Sequence, residues 1–539
     1  MVSLRNVSIP ALFVLLILAT ANYAPAPPGV TERVQVRLPG LEQGSLTLRG
    51  ERLWQPKALG RFYRARQARP AWSGRDAEDI VQAIRGVTAD GLNPADYHLK
   101  AIEQMVSERD NGSSPELEGD LDILLSDAVA AMADHVRYGR VRPVTLNAAW
   151  NVDPREGAPP VEQQLAEIRS APDLSRAIEA RRPNHFIYKG LVRELASLRD
   201  IADQGGWPRV ASGRPIAPGA RDERVAAVRR RLEASGEFRG GAGADPAHYD
   251  AALAKAVRRF QDLHRIPADG VIGPTTVAAM NVPVQERINQ VRANLERARW
   301  VLNGLRDDFL LVNIPAFKAY LIRDQRRIWE ARTQVGDEYM KTPTFRSTMQ
   351  TVVFNPDWTL PPTIAKYEVL DAMRNGDNVL MKWGLRIYDR RGREVHPASV
   401  DWNASPDRFP YTLRQLPGSR NPLGRVKFLF PNKYSIYLHD TPNQRLFAAR
   451  DRTFSHGCIR VENAMELADL LLRDQIGAGG VRNAVAEGAT RNVALEHPIP
   501  VLIVYWTVSV GAKGDVHYAN DIYGYDAPLA AALNAGRRG

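Results

Sequence analysis

One cysteine, Cys458, is all that the 539 residues contain. A single thiol excludes an intramolecular disulfide framework and any zinc site built on several cysteines. A zinc site made of His439, His456 and Cys458 would lack a histidine or carboxylate pair at i,i+4 spacing, and no His-Glu-x-x-His occurs. Blocks of like charge are also missing. The 72 Lys and Arg and 61 Asp and Glu give a net charge of +11, with the basic residues spread along the chain. That distribution excludes a nucleic-acid footprint and leaves a weak attraction to anionic surfaces such as a cell wall or lipid headgroups. Beyond the first residues no apolar run is long enough to span a bilayer.

The exception is at the start. Arg5 precedes an apolar run from Ile9 to Ala21, with small-residue cleavage candidates at Ala19-Thr20-Ala21 and Ala24-Pro25-Ala26. Residues 1–29 are expected to be a signal peptide, or an uncleaved inner-membrane anchor, with a Pro-rich tether. Either way the remainder is expected outside the cytoplasm.

Apolar content of 44% and charged content of 25% suit a folded protein. At about 150 residues per domain the length predicts three or four. Residues 45–203 read as mostly helical, with Leu124, Leu125, Ala128, Ala131 and Met132 as one buried stripe. His98 and His135 in this stretch are expected at the surface or as caps. Gly205-Gly206-Trp207-Pro208 to Pro218-Gly219 reads as a linker. A compact helical module follows over 220–282. Val225, Val228 and Leu232 face inward from its first helix, and Leu253, Val257, Phe260 and Leu263 from its second. Gly240-Gly241-Ala242-Gly243 is an exposed loop between them, and Pro274 suits the first turn of the last helix. Arg287 to Leu302 reads as a solvated helix with i,i+4 charge pairs. Short alternating segments then predict a β-rich domain over 285–526, interrupted near 361–414 by an insertion able to gate access.

The chemistry gathers around Phe454-Ser455-His456-Gly457-Cys458-Ile459-Arg460-Val461. Gly457 permits a tight turn that exposes the thiol. The apolar spacing of Met465, Leu467, Ala468, Leu471 and Leu472 predicts a helix directly afterwards, whose dipole would lower the thiol pKa. Upstream, Tyr434 to Leu438 reads as a strand that ends at His439, a rigid seat for a general base. A lone cysteine is often a small buried hydrophobe, but polar Ser455, His456 and Arg460 flank this one. As a nucleophile, Cys458 would use His439 as its proton shuttle. The N–H of Cys458 and one from Gly457 or His456 would serve as oxyanion donors. His456 is expected to support the loop, and Arg460 to brace it or bind a substrate carboxylate.

His439-Asp440-Thr441-Pro442, followed by Ser455-His456-Gly457-Cys458-Ile459-Arg460, resembles the signature of the L,D-transpeptidase (YkuD-type) family. Asn313 to Phe317, Asn355 to Trp358, Arg414 to Gly418 and Leu423 to Phe428 look like its large YcbB-type subfamily. Gln261, Asp269 to Thr276 and Asn281 resemble a peptidoglycan-binding domain, with glycan binding or simple docking as its role. The resemblance implies a multidomain α+β protein. Its parts are a helical scaffold (45–203), a three-helix peptidoglycan-binding-like module (220–282) and a mixed-sheet catalytic sandwich (285–526) with a lid at about 361–414. It also implies a periplasmic enzyme, without cofactor or metal, that cross-links diamino-acid residues of stem peptides through a thioester on Cys458. Its partners would be peptidoglycan stem peptides, glycan and other cell-wall synthases, and carbapenems would acylate it. Asp440 is a candidate orienter of His439, although a backbone carbonyl or hydroxyl often takes that part in the family. Tyr411, Trp358 and Asn421 are candidate substrate-binding residues on resemblance. Two other functions stay open: a hydrolytic carboxypeptidase or endopeptidase using the same cysteine, and a non-catalytic wall-binding protein.

Overall fold

The computed structural model describes residues 29–146, 150–240, 245–305 and 308–536. The leader expected over 1–29 lies outside the described residues except for Gly29, and so does the Gly240 to Gly243 loop after Gly240. Among the described residues no helix is long and apolar enough to cross a membrane. The chain forms two compact units. Of the described residues, one comprises those from Gly29 to Ile84, His98–Ala131 and Pro160–Ser175; the other comprises Arg85–Tyr97, Met132–Pro159 and those from Arg176 onward.

The first unit is helical, and a buried carboxylate ties its pieces together. Asp127 accepts hydrogen bonds from Trp54 N (2.7 Å) and Gln55 N (2.9 Å), just ahead of the helix Pro56–Ala65. It also meets His98 Nε2 at 2.8 Å, and His98 Nδ1 meets Glu51 at 2.8 Å. Burial alone would lower the His98 pKa, but Asp127 and Glu51 outweigh it and raise it. His98 is therefore not a surface histidine. Nor is His135 in the second unit, which is buried with Nδ1 3.2 Å from the Tyr97 hydroxyl. Asp127→Ala would orphan two backbone donors and a buried imidazole at once. A loss of ~3 kcal/mol in stability is expected, measurable by urea unfolding of the full chain. Unchanged unfolding would show that Asp127 does not organise this unit.

In the second unit, the module is built from helices Arg224–Ala234, Ala251–Leu263 and Pro274–Met280. Val225, Val228, Leu232, Leu253, Val257 and Phe260 are fully buried in its core, while Leu263 is only half-buried. Asp250 caps the second helix by accepting from Leu253 N at 2.8 Å. Pro274 opens the third, where a missing N–H costs nothing.

The helix Val284–Leu302 corrects the reading of a solvated segment. Glu296, Arg297 and Arg299 are all buried. Arg299 Nη1 donates to Glu296 at 2.6 Å, Glu296 accepts from Val141 N at 2.6 Å, and Arg297 pairs with Asp526. Buried charges persist here because each has a hydrogen-bonded partner on another element.

From Phe309 onward the chain builds one mixed sheet closed on itself. We number its strands β1 (Phe309–Asn313), β2 (Lys318–Arg323), β3 (Arg326–Gly336), β4 (Thr344–Phe354), β5 (Val426–Leu429), β6 (Leu438–His439), β7 (Thr453–Ser455), β8 (Ile459–Val461) and β9 (Arg491–Val504). The order is β5-β6-β8-β3-β2-β1-β9-β4, and β4 pairs back onto β5, which completes the ring. β7 adds to β3 in parallel, and Trp150–Asn151 pairs β4. β1 is buried at every position, as a strand flanked on both sides and covered on both faces must be.

The insertion is a small folded body. Trp358–Thr359, Leu385–Tyr388, Glu394–Val395 and Thr412–Gln415 form its own four-stranded sheet. Helical turns at Ile364–Val369, Leu370–Arg374 and Val379–Trp383 cover it. Leu360, Val369, Leu370, Ile387 and Leu413 make a core separate from that of the main sheet.

Candidate active site

Strand register assembles the site. β6 pairs with β8 in parallel, Leu438 level with Ile459 and His439 level with Arg460, and Ile459 N donates to Tyr437 O at 3.1 Å. Cys458 is thus level with Tyr437. Because side chains alternate along a strand, Tyr437, His439, Cys458 and Arg460 share one face. Lys427 of β5, level with His439, joins them. The expected strand from Tyr434 is shorter than its alternation suggested. Ser435 takes φ 57° and Asn432 bonds Tyr434 N and Ile436 N, so pairing starts only at Leu438. His439 is the last residue of the paired strand, the end at which it was expected.

The turn before the cysteine needs its glycine. Gly457 has φ +106°, and a Cβ there would sit 3.2 Å from Ile436 Cδ1. Its N–H donates to Ser455 Oγ at 3.2 Å, which removes Gly457 from the candidate oxyanion donors. The Cys458 N–H, by contrast, has no partner among the described residues. Thr342 Oγ1 donates to Gly457 O at 2.8 Å and accepts from Gly336 N at 2.9 Å, fastening the turn to the end of β3. Tyr523 in the C-terminal segment secures that end by donating to Gly336 O at 2.6 Å.

The helix after the cysteine starts later than its apolar pattern implied. Residues 459–461 form β8, and the helix is Ala464–Ile476. A strand therefore separates the sulfur from the helix end, and a dipole acts only within the first turn. The thiol is not activated in that way. Cys458 is half-buried, and burial pushes its pKa up against hydrogen bonds from Tyr437 and the charges of Lys427 and Arg460. Its Sγ faces Ser435 O at 3.7 Å.

His439 is buried, and its Nδ1 is 2.6 Å from Asp440 O. A carbonyl only accepts, so Nδ1 carries the proton and Nε2 holds the lone pair. Burial, then the charges of Arg460 and Lys427, push the imidazole down to about 3. Both groups are neutral at rest, on one face of the sheet. The orienting acceptor is the Asp440 backbone, and the Asp440 carboxylate is occupied elsewhere. It accepts from Arg425 N at 2.8 Å and from Gln444 Nε2 at 3.1 Å.

Arg460 Nη1 reaches Phe454 O and Gln334 Oε1, each at 3.2 Å, so it braces the loop that leads to the cysteine. The His456 ring points to the insertion, with Nε2 3.2 Å from Glu368 Oε1. Asn421 does not line a cleft. It is fully buried, donates to Pro356 O (3.0 Å) and Leu416 O (3.2 Å), and accepts from Leu423 N (2.9 Å), so it holds a turn. Trp358 and Tyr411 pack within the insertion, against Trp383 (6.3 Å between rings) and Phe409 (5.5 Å).

Sequence reasoning passed over Tyr437 and Lys427. The Tyr437 ring is 5.6 Å from that of His439, burial and the neighbouring Cys458 thiol push its hydroxyl pKa up, and Lys427 Nζ lies 3.9 Å from its centroid. The signal was the two-residue step from Tyr437 to His439, which puts both on one face. Glu368 carried no signal, because only the folded insertion brings it to His456.

Among the described residues no cluster of His, Cys, Asp and Glu could hold a metal. Comparison with known proteins matches residues 307–493 to an L,D-transpeptidase catalytic domain. Residues 57–195 match a scaffold domain, and 221–280 a "Putative peptidoglycan binding domain". A Haemophilus influenzae protein named "Putative L,D-transpeptidase" is 36% identical over 224 residues, which are 41% of this chain and 45% of the relative. The match thus spans less than half of that relative. Two solved structures overlap weakly. An L,D-transpeptidase from Xylanimonas cellulosilytica has a TM-score of 0.19 at 16% identity, over 55% of this chain and 99% of its own. A fused Zn-dependent amidase/peptidase/peptidoglycan-binding domain-containing protein from Clostridium acetobutylicum has 0.14 at 13%, over 54% and 99%.

Proposed function

Taking as premise that this chain carries an L,D-transpeptidase catalytic domain with a scaffold and a peptidoglycan-binding domain, we propose that it is a cysteine acyltransferase of peptidoglycan outside the cytoplasm. The donor is a tetrapeptide stem, cut between its diamino acid and the terminal D-alanine. Cys458 attacks the diamino-acid carbonyl, and His439 Nε2 takes the thiol proton and passes it to the departing amine. The Cys458 N–H faces the developing oxyanion. An amine of a second stem then displaces the thioester, with His439 accepting its proton, and forms a direct cross-link between diamino acids.

The observation that carries this reading is the fixed tautomer of His439. Its Nδ1–H is held by Asp440 O, which leaves the Nε2 lone pair on the face that bears Cys458. The body inserted at residues 358–415 acts as a lid, since Glu368 brings it into contact with His456 in the nucleophile loop. The periplasm is the compartment in which such a substrate is met.

Intact mass of the purified protein after incubation with tetrapeptide muropeptide, and with a carbapenem as surrogate, tests the reading. A covalent adduct with both, followed by cross-linked dimers from the muropeptide, is the expected result. Adduct and hydrolysed tripeptide without dimers would replace transfer by hydrolysis. Folded protein that gives neither adduct nor turnover would overturn enzymatic function in favour of wall binding.

A further inference from the structure

Three basic side chains stand in one row across the face of the nucleophile, and one of them has no occupation. Lys427 on β5 is level with His439 on β6, which is level with Arg460 on β8. Arg460 braces Phe454 O and Gln334, and His439 is held by Asp440 O. Lys427 Nζ lies over the Tyr437 ring at 3.9 Å, and its ammonium has no hydrogen-bond acceptor among the described residues. The ionisable groups that act on it are Cys458 and Asp357, and Asp357 is already paired with Arg414 Nε at 3.1 Å. A half-buried ammonium has three donors to satisfy, and a ring face satisfies none of them as a hydrogen bond. Such a group is poised for an anion.

We propose that Lys427 binds the free C-terminal carboxylate of the donor peptide, and so restricts the protein to donors whose scissile bond leads to a terminal amino acid. This rests on the acyl-transfer reading above. The strand order supplies the direction. Cys458 directly precedes β8, His439 lies on the neighbouring β6, and Lys427 on β5 beyond it. The carbonyl carbon must lie at the sulfur and the leaving nitrogen at His439 Nε2, which returns a proton to it. The chain after that nitrogen therefore runs past His439 towards β5. In a terminal α-amino acid the carboxylate is two bonds from the nitrogen and reaches the ammonium. A longer peptide would set a neutral amide there and leave the ammonium unpaired.

The test compares a tetrapeptide donor with its C-terminal carboxamide, using wild type, Lys427→Gln and Lys427→Arg. Wild type is expected to form thioester with the acid about 30-fold faster in kcat/KM than with the amide, mainly through KM. Lys427→Gln should bring the acid and the amide to the same rate, and Lys427→Arg should restore part of the preference. Equal rates for acid and amide in wild type, or a preference that survives in Lys427→Gln, would overturn the proposal. Binding of both peptides to Cys458→Ala, with and without Lys427→Gln, separates this from the acyl-transfer reading. Absence of any thioester in wild type sinks that reading alone if Cys458→Ala still prefers the acid and Lys427→Gln erases the preference. Absence of a binding preference sinks the role of Lys427.

Discussion

Cys458→Ala should eliminate the covalent adduct with both tetrapeptide and carbapenem, a loss of at least ~10⁴-fold in turnover. The chain offers no second thiol to take over. The substitution removes one half-buried sulfur at a turn whose shape is set elsewhere, by the φ of Gly457 and by Thr342. The fold should therefore survive, and thermal unfolding close to wild type is the control. Adduct formation by Cys458→Ala would assign the nucleophile to another residue. Because burial holds the thiol protonated, iodoacetamide alkylation of the free protein should be slow at pH 7 and accelerate above pH 9. An alkylation plateau at low pH would instead indicate a standing thiolate.

His439→Gln should slow acylation by about 10³-fold, or ~4 kcal/mol in the barrier. Glutamine fills similar space and donates to Asp440 O, but it cannot accept the thiol proton. The pH dependence follows from the depressed pKa. Acid removes the base by protonating Nε2, and burial beside Arg460 and Lys427 defers this to about pH 3. Carbapenem acylation by wild type should therefore be flat from pH 8 down to pH 5. An exposed histidine would show an acid limb near pH 6.5. A limb near pH 6.5 that vanishes in His439→Gln would show that the imidazole is solvated in the working protein.

A neutral resting pair is the arrangement expected where charge is costly to bury. Separating a thiolate from an imidazolium in a half-buried site requires compensating dipoles, and the helix that could supply one begins only at Ala464. The proton therefore moves as the sulfur attacks. Lys427, Arg460 and the Tyr437 hydroxyl would then stabilise negative charge on sulfur as its proton leaves, and again when the acceptor amine displaces it.

The site was legible in the sequence where chemistry is written locally. The box from Ser455 to Arg460 and the segment from His439 to Pro442 name a thiol, a base and a glycine that only a left-handed turn requires. The helical module was legible too, since the spacing of Val225, Val228 and Leu232 is a local property of one helix. Asn421 misled, because its flanking text suggested a cleft while its amide is consumed by three backbone groups of a turn.

The sequence by itself determined the order of the regions and marked the residues proposed to carry the chemistry, because composition, turn residues and periodicity act over a few positions. Tertiary structure alone decided which side chains meet. Strand register set Lys427, Tyr437, His439, Cys458 and Arg460 on one face, although they come from three strands. Long-range packing turned Glu296, Arg297 and Arg299 from an apparent solvated stripe into a buried, paired network. It also reversed the expected thiol shift. Burial and partnership across distant segments depend on how the whole chain closes, and no local pattern encodes them.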